Sequence, residues 1–167
     1  LNMNLSKIDR EKNDISDDKF FYQQPRFVHH LSDSFRNRLT NLYSEFLSEQ
    51  NGIDEVVYPE LETHPDNAMA RALMPDGVGA VLSFNIVGGR ESGRKFIESL
   101  ELFSHLANVG DAKSLVIHPA STTHHRMSRD DLQIAGIEEG TIRLSVGLED
   151  PLDLIEDLRQ ALKRSQR

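Results

Sequence analysis

Apolar and polar positions change rhythm several times along this chain, and each change predicts an element. From Ser34, Phe35, Leu39, Leu42, Phe46 and Leu47 recur mostly at spacings of three to four, which predicts a helix. Asn51-Gly52 is its stop signal, because glycine can take the left-handed cap. "DEVVYP" predicts a short strand stopped by Pro59. "THPDNAMARAL" predicts a second helix, with Thr63 or His64 near its N-cap and Pro65 in the first turn. "AVLSFNIV" reads as a buried or half-buried strand closed by Gly88-Gly89. "RESGRKFIESLELFSHLANVG" predicts a third helix with a stripe of Phe96, Ile97, Leu100, Phe103 and Leu106 and with Gly110 as its C-cap.

"KSLVIHPAS" predicts a short strand running into a loop, and "STTHHRMSRDDLQIAG" continues that loop into a short helix. In "TIRLSVGLED" the rhythm is two. Ile142, Leu144 and Val146 take one face of a strand, and Thr141, Arg143 and Ser145 the other. "DPLDLIEDLRQALKRSQR" closes the chain as a helix with Asp150 as N-cap and Pro151 in its first position. Leu152, Ile155, Leu158 and Leu162 form its expected buried face, and Lys163 and Arg164 suit the negative end of its dipole. Strands alternating with helices predict an α/β fold, a small sheet with helices packed mainly on one face. Residues 1–26 are polar and without clear periodicity. Residues 1–33 therefore read as a flexible lead-in to a domain spanning 34–167, and a chain that starts at Leu1 reads as a fragment or a processed piece.

Composition narrows the function classes. With 19 basic against 27 acidic residues the formal charge is −8, which argues against nucleic acid as a partner. There is no cysteine, hence no disulfide, thiolate metal site or cysteine nucleophile. No apolar run approaches a membrane span, and the N-terminus is too polar for a secretory signal, so a cytoplasmic location is expected.

His118, His124 and His125 cluster without the spacing of a zinc site. The expectation is that His118 and His124 hydrogen-bond within a loop, while His29-His30 is exposed. No metal site is predicted. "VGGRESG" is neither a dinucleotide fingerprint nor a phosphate loop. Lys113 reads as a surface lysine at the start of a strand rather than a Schiff-base lysine. Arg143 is open to two readings: a solvated or ion-paired strand residue, or a carboxylate receptor whose planar fork makes two parallel hydrogen bonds. If its face is buried it needs an anionic partner, and a substrate carboxylate or Glu149 would serve.

The segments "GAVLSFNIVGG", "FIESLELFSHLANVGDAKSLVIHPASTTH", "AGIEEGTIRLSVGLED" and "DLIEDLRQAL" stand in the order and spacing of one family. The chain resembles the C-terminal part of the pyridoxal-phosphate-dependent Cys/Met metabolism enzymes, most of all their O-acetylhomoserine sulfhydrylase branch. "NVGDAKSLVIHPASTTH" is the specific stretch. The resemblance is good from about Val56 to Ala161, looser over Ser34 to Gly52, and absent from residues 1–26. It implies the C-terminal domain of a fold-type I transferase. The implied reaction is a γ-replacement in which sulfide displaces acetate from O-acetyl-L-homoserine to give homocysteine, with pyridoxal 5'-phosphate as electron sink.

By the same resemblance Arg143 binds the substrate α-carboxylate, Asn108 sits near the substrate and the cofactor lysine, and Ser114 and Thr123 line the pocket. Family members commonly form homo-oligomers. The family's cofactor lysine, its aspartate, its stacking aromatic and most of its phosphate site belong to an N-terminal domain that this sequence does not contain. Lys113, part of the C-terminal motif, is no substitute. The implication is that this chain needs that domain or a homologous subunit, and alone neither holds the cofactor tightly nor turns over substrate. The alternatives are a cystathionine γ-synthase or methionine γ-lyase fragment, or a non-catalytic assembly module that pairs with an intact homologue.

Overall fold

The computed structural model describes residues 33–166, with side chains from Thr40 onward. The expectations for the lead-in, for His29-His30 and for the Phe35 and Leu39 side chains lie outside the described residues. The order of elements is α1 (Asp33–Ser48), β1 (Ile53–Val57), α2 (Asn67–Leu73), β2 (Val81–Ile86), α3 (Gly89–Ser99), β3 (Ser104–His105), β4 (Leu115–Ile117), a 3-10 turn (Pro119–Ser121), α4 (Arg129–Ile134), β5 (Thr141–Ser145) and α5 (Pro151–Ser165). The strands form one sheet in the order β1-β2-β5-β4-β3. All its pairings are antiparallel except the parallel contact of β3 with β4.

The period-two residues divide the sheet as its chemistry requires. Leu82, Phe84 and Ile86 of β2, with Ile142 and Leu144 of β5 and Val146 just beyond it, are buried in the core. α1 and α3 lie against that face, and α5 packs on α3 and α1. Phe84 meets Phe96 edge to face, with ring centroids 5.6 Å apart. On the other face Ser83, Asn85, Thr141 and Arg143 are only half-buried. The expected small sheet with helices mainly on one side is what the chain forms.

Four local expectations are corrected. Leu42 is 40% exposed, and the buried face of α1 runs instead through Thr40, Tyr43, Ser44 and Leu47, a tighter i, i+3, i+4, i+7 set. α2 starts at Asn67 behind Asp66, not at Thr63 or His64, because successive turns occupy the segment before it (His64 N–H to the Leu61 carbonyl, Asn67 N–H to the His64 carbonyl). Leu152 is 73% exposed in the first turn of α5, whose buried face is Leu154, Ile155, Leu158, Ala161 and Leu162.

The fourth correction is the largest. α3 ends at Ser99, so Phe103 and Leu106 are not helical and Gly110 caps nothing. The cause is Asp157 of α5. Its carboxylate accepts the backbone N–H groups of Glu101 (2.9 Å), Leu102 (2.8 Å) and Phe103 (3.4 Å). A buried carboxylate offers those donors stronger partners than helix carbonyls would, and the chain turns into β3. The start of α5 is as read, with the Asp150 carboxylate accepting the Leu152 N–H at 2.8 Å and Pro151 in the first turn.

Candidate functional site

Arg143 sits mid-strand on β5, opposite Ser83 of β2 on one side and Ile117 of β4 on the other. Alternation sends its neighbours Ile142 and Leu144 into the core and turns Arg143 to the open face. There it lines a cavity of about 400 Å³ together with Ser83, Thr123, His124, Thr141 and the apolar Ile117. One guanidinium nitrogen donates to the Asn108 backbone carbonyl at 3.2 Å. Asn108 lies in the loop joining β3 to β4, so that loop fixes one edge of the fork while the remaining donors make no protein hydrogen bond among the described residues.

The sequence left Glu149 as an internal partner for this cation, and the structure removes it. Both Glu149 carboxylate oxygens are taken by Ser114, one by its backbone N–H at 2.7 Å and one by its hydroxyl at 2.8 Å. Ser114 Oγ in turn accepts the Gly147 N–H at 2.8 Å. The described ion pairs use Arg90, Arg94, Arg129, Arg159 and Arg164, never Arg143. Arg143 is therefore a half-buried guanidinium with no carboxylate beside it among the described residues.

The four residues singled out in the sequence do not converge equally. Arg143 and Thr123 share the cavity. Asn108 reaches Arg143 through its carbonyl, not its side chain. Ser114 is fully buried and does not line the cavity, and its hydroxyl braces Glu149 and Gly147. Gly110 donates its N–H to the buried Ser145 hydroxyl at 3.2 Å, which holds the Asn108 loop against β5. Lys113 is exposed beside an Asp111 turn.

His118 and His124 do hydrogen-bond within their loop. His124 Nδ1 pairs with the Thr123 hydroxyl at 2.8 Å, and His118 is buried between Ser121 and the Glu139 carbonyl. Burial, chiefly, holds the His118 pKa below the usual 6.5, against the pull of the Glu139 hydrogen bond. Ser83 and Thr141 were missed as cavity residues. Period two places both on Arg143's face, but only the strand order makes Ser83 its neighbour.

A model of the family described as Cys/Met metabolism PLP-dependent enzyme matches residues 36–163. The chain belongs to this family. It is 50% identical over 121 residues to an O-acetyl-L-homoserine sulfhydrylase of Leptospira meyeri, covering 72% of this chain and 27% of that protein. An L-methionine gamma-lyase of Fusobacterium nucleatum subsp. polymorphum is 43% identical over 120 residues, covering 72% of this chain and 30% of the lyase. A crystal structure described as an O-acetylhomoserine (thiol)-lyase of Campylobacter jejuni, carrying a pyridoxyl-lysine phosphate, superposes with a TM-score of 0.72 at 38% identity. That match covers 79% of this chain and 31% of the other. The chain thus spans less than a third of the length of these relatives.

The family works with pyridoxal phosphate. The Arg143 cavity does not by itself fit that group. Its lining offers a guanidinium, hydroxyls and an imidazole but no lysine to hold the aldehyde. Lys95, Lys113 and Lys163, the lysines among the described residues, stand elsewhere, on α3, in the exposed turn and on the last turn of α5.

Proposed function

We propose that this chain is the C-terminal portion of an O-acetylhomoserine sulfhydrylase-like transferase, and that it supplies the wall receiving the substrate α-carboxylate. In this reading the cofactor and its lysine come from a domain outside these residues. The observation that carries the reading is the half-buried Arg143 fork, which lines a cavity while Glu149, the internal partner the sequence offered, is held by Ser114. Arg143 binds the carboxylate by two parallel hydrogen bonds. The Asn108 carbonyl holds one edge of the guanidinium. Thr123 and Ser83 offer hydroxyls around the bound group, while the Thr141 hydroxyl is taken by Asn85 and the Glu138 N–H. Ser114 acts at one remove, by holding the end of the Asn108 loop to Glu149. A cofactor held by that other domain would supply the electron sink for loss of the γ-acetate, with sulfide as the replacing nucleophile.

The test is a chimera in which residues 34–167 replace the matching segment of the Leptospira meyeri enzyme. Homocysteine formation from O-acetyl-L-homoserine and sulfide is the readout. Arg143→Lys, which keeps the charge but loses the fork, should raise KM for the amino acid by about tenfold or more. Unchanged kinetics in Arg143→Ala would sink the reading. The 43% identity to a methionine gamma-lyase favours a second reading, γ-elimination from L-methionine. The same chimera, assayed for release of a 2-oxo acid from methionine without sulfide, separates the two. The isolated chain should show no stable aldimine absorption band after pyridoxal phosphate is added and the free cofactor removed.

A further inference from the structure

Two loops wall the cavity that Arg143 lines. Pro119, Thr123 and His124 follow β4, and Gly136 and Ile137 precede β5, which opens at Thr141. His118 stands between these loops with 0% of its surface exposed. Its Nδ1 lies 2.8 Å from the Ser121 hydroxyl in the first loop, and its Nε2 lies 2.7 Å from the Glu139 carbonyl oxygen at the end of the second. A carbonyl can only accept, so Nε2 carries the hydrogen and Nδ1 accepts from Ser121. The His118 carbonyl also receives the Thr122 hydroxyl at 2.8 Å, closing the turn that leads to Thr123.

The ring has no room to swing. At Gly93 of α3 a Cβ would come within 2.6 Å of Nε2. The charged and titratable groups around it are Arg90 of α3, His105 of β3 and Glu139. Glu139 is itself held by Arg129 at 2.8 Å and by Arg90 at 3.5 Å, so the second anchor is braced from both sides.

We propose that His118 is a positioning residue for the Arg143 cavity: its ring pins the loop carrying Thr123 to the loop entering β5, and so sets the opening that a carboxylate meets. This rests on the reading of that cavity as a carboxylate receptor. A ring that served only to stabilise the fold would change the melting point of the chain and leave ligand affinity in the folded molecule untouched.

The experiment uses the isotope-labelled chain and L-methionine as an α-amino carboxylate probe. Binding is followed by NMR at the Arg143 Nε–H and the Thr123 amide. His118→Phe keeps a ring and removes both hydrogen bonds, and should weaken methionine binding about tenfold. His118→Gln, whose amide still donates to the Glu139 carbonyl, should recover affinity to within about threefold of the starting chain. Ser121→Ala, at an exposed position, removes the Nδ1 partner and a longer 3.4 Å contact to the His118 carbonyl while leaving the ring's bond to Glu139; it should cost about threefold, which keeps the test open if His118→Phe does not fold. Unchanged affinity in a folded His118→Phe, or in Ser121→Ala where His118→Phe fails to fold, overturns the proposal. If the unsubstituted chain binds no methionine, the same variants are read in the chimera by KM for O-acetyl-L-homoserine: an unchanged KM in Arg143→Ala overturns the carboxylate reading and this proposal with it, and an unchanged KM in His118→Phe alone overturns the positioning role. Binding that the variants leave intact overturns the positioning role alone.

Discussion

Asp157 and Arg143 are charged groups on opposite sides of one sheet, and the fold treats them in opposite ways. Asp157 is 5% exposed, and its two oxygens accept three backbone N–H groups and the Gln160 amide. Its charge is consumed in ending α3 and docking α5. Among the described residues Arg143 uses one of its donors, on one carbonyl. On the helix-covered side the Asp157 charge is met internally. The open side leaves a cation incompletely satisfied, and an under-partnered, half-buried charge is what a receptor for a small anion requires.

The contrast can be broken by exchanging what each side should lose. Asp157→Ala leaves three backbone donors without their partner and should cost about 3 kcal/mol of stability in urea unfolding. A loss below about 1 kcal/mol would mean the charge is not structural. Gly93→Ala drives a methyl into the His118 ring and should cost about 2 kcal/mol by the same measurement.

His118 gives the comparison a pH axis. Its pKa is lowered in the folded state, so the unfolded chain binds the proton more readily. The associated stability is complete above 6.5, the ordinary value, and falls as the pH drops through it toward the folded pKa. The urea midpoint followed against pH should show that slope, and His118→Gln should flatten it. A slope identical in the variant would assign the pH dependence to other groups.

Arg143→Ala is the smallest expected stability change, within about 0.5 kcal/mol, because the guanidinium holds little in place. Yet methionine binding by NMR should weaken more than about tenfold. A large stability loss there would make Arg143 structural and erase the contrast with Asp157.

What could be read in the sequence follows the range of the forces involved. The α5 cap, the β5 alternation and the short α4 are set by neighbours a few residues apart, and their patterns predict them. The overlong third helix failed because its terminator, Asp157, is 54 to 56 residues downstream of the donors it captures. Arg143 was visible as a charge on a half-buried strand. Whether Glu149 would neutralise it was not, because Ser114, which captures Glu149, is 35 residues away. Ser83 stayed hidden for the same reason, since it meets Arg143 only through the β2-β5 register. Likeness to a family marked Asn108 and Thr123. The structure adds that Asn108 acts through its main chain and that Ser114 stands behind the cavity rather than in it.

That main-chain contact has an evolutionary consequence. A carbonyl oxygen is present whatever side chain the residue carries, so position 108 can drift without freeing the Arg143 fork. The side chain there is exposed and is then at liberty to be selected for what it offers a neighbouring group. Anchoring through the backbone separates the hold on the guanidinium from the tuning of its surroundings. One loop can thus change its side chains while Arg143 stays in place.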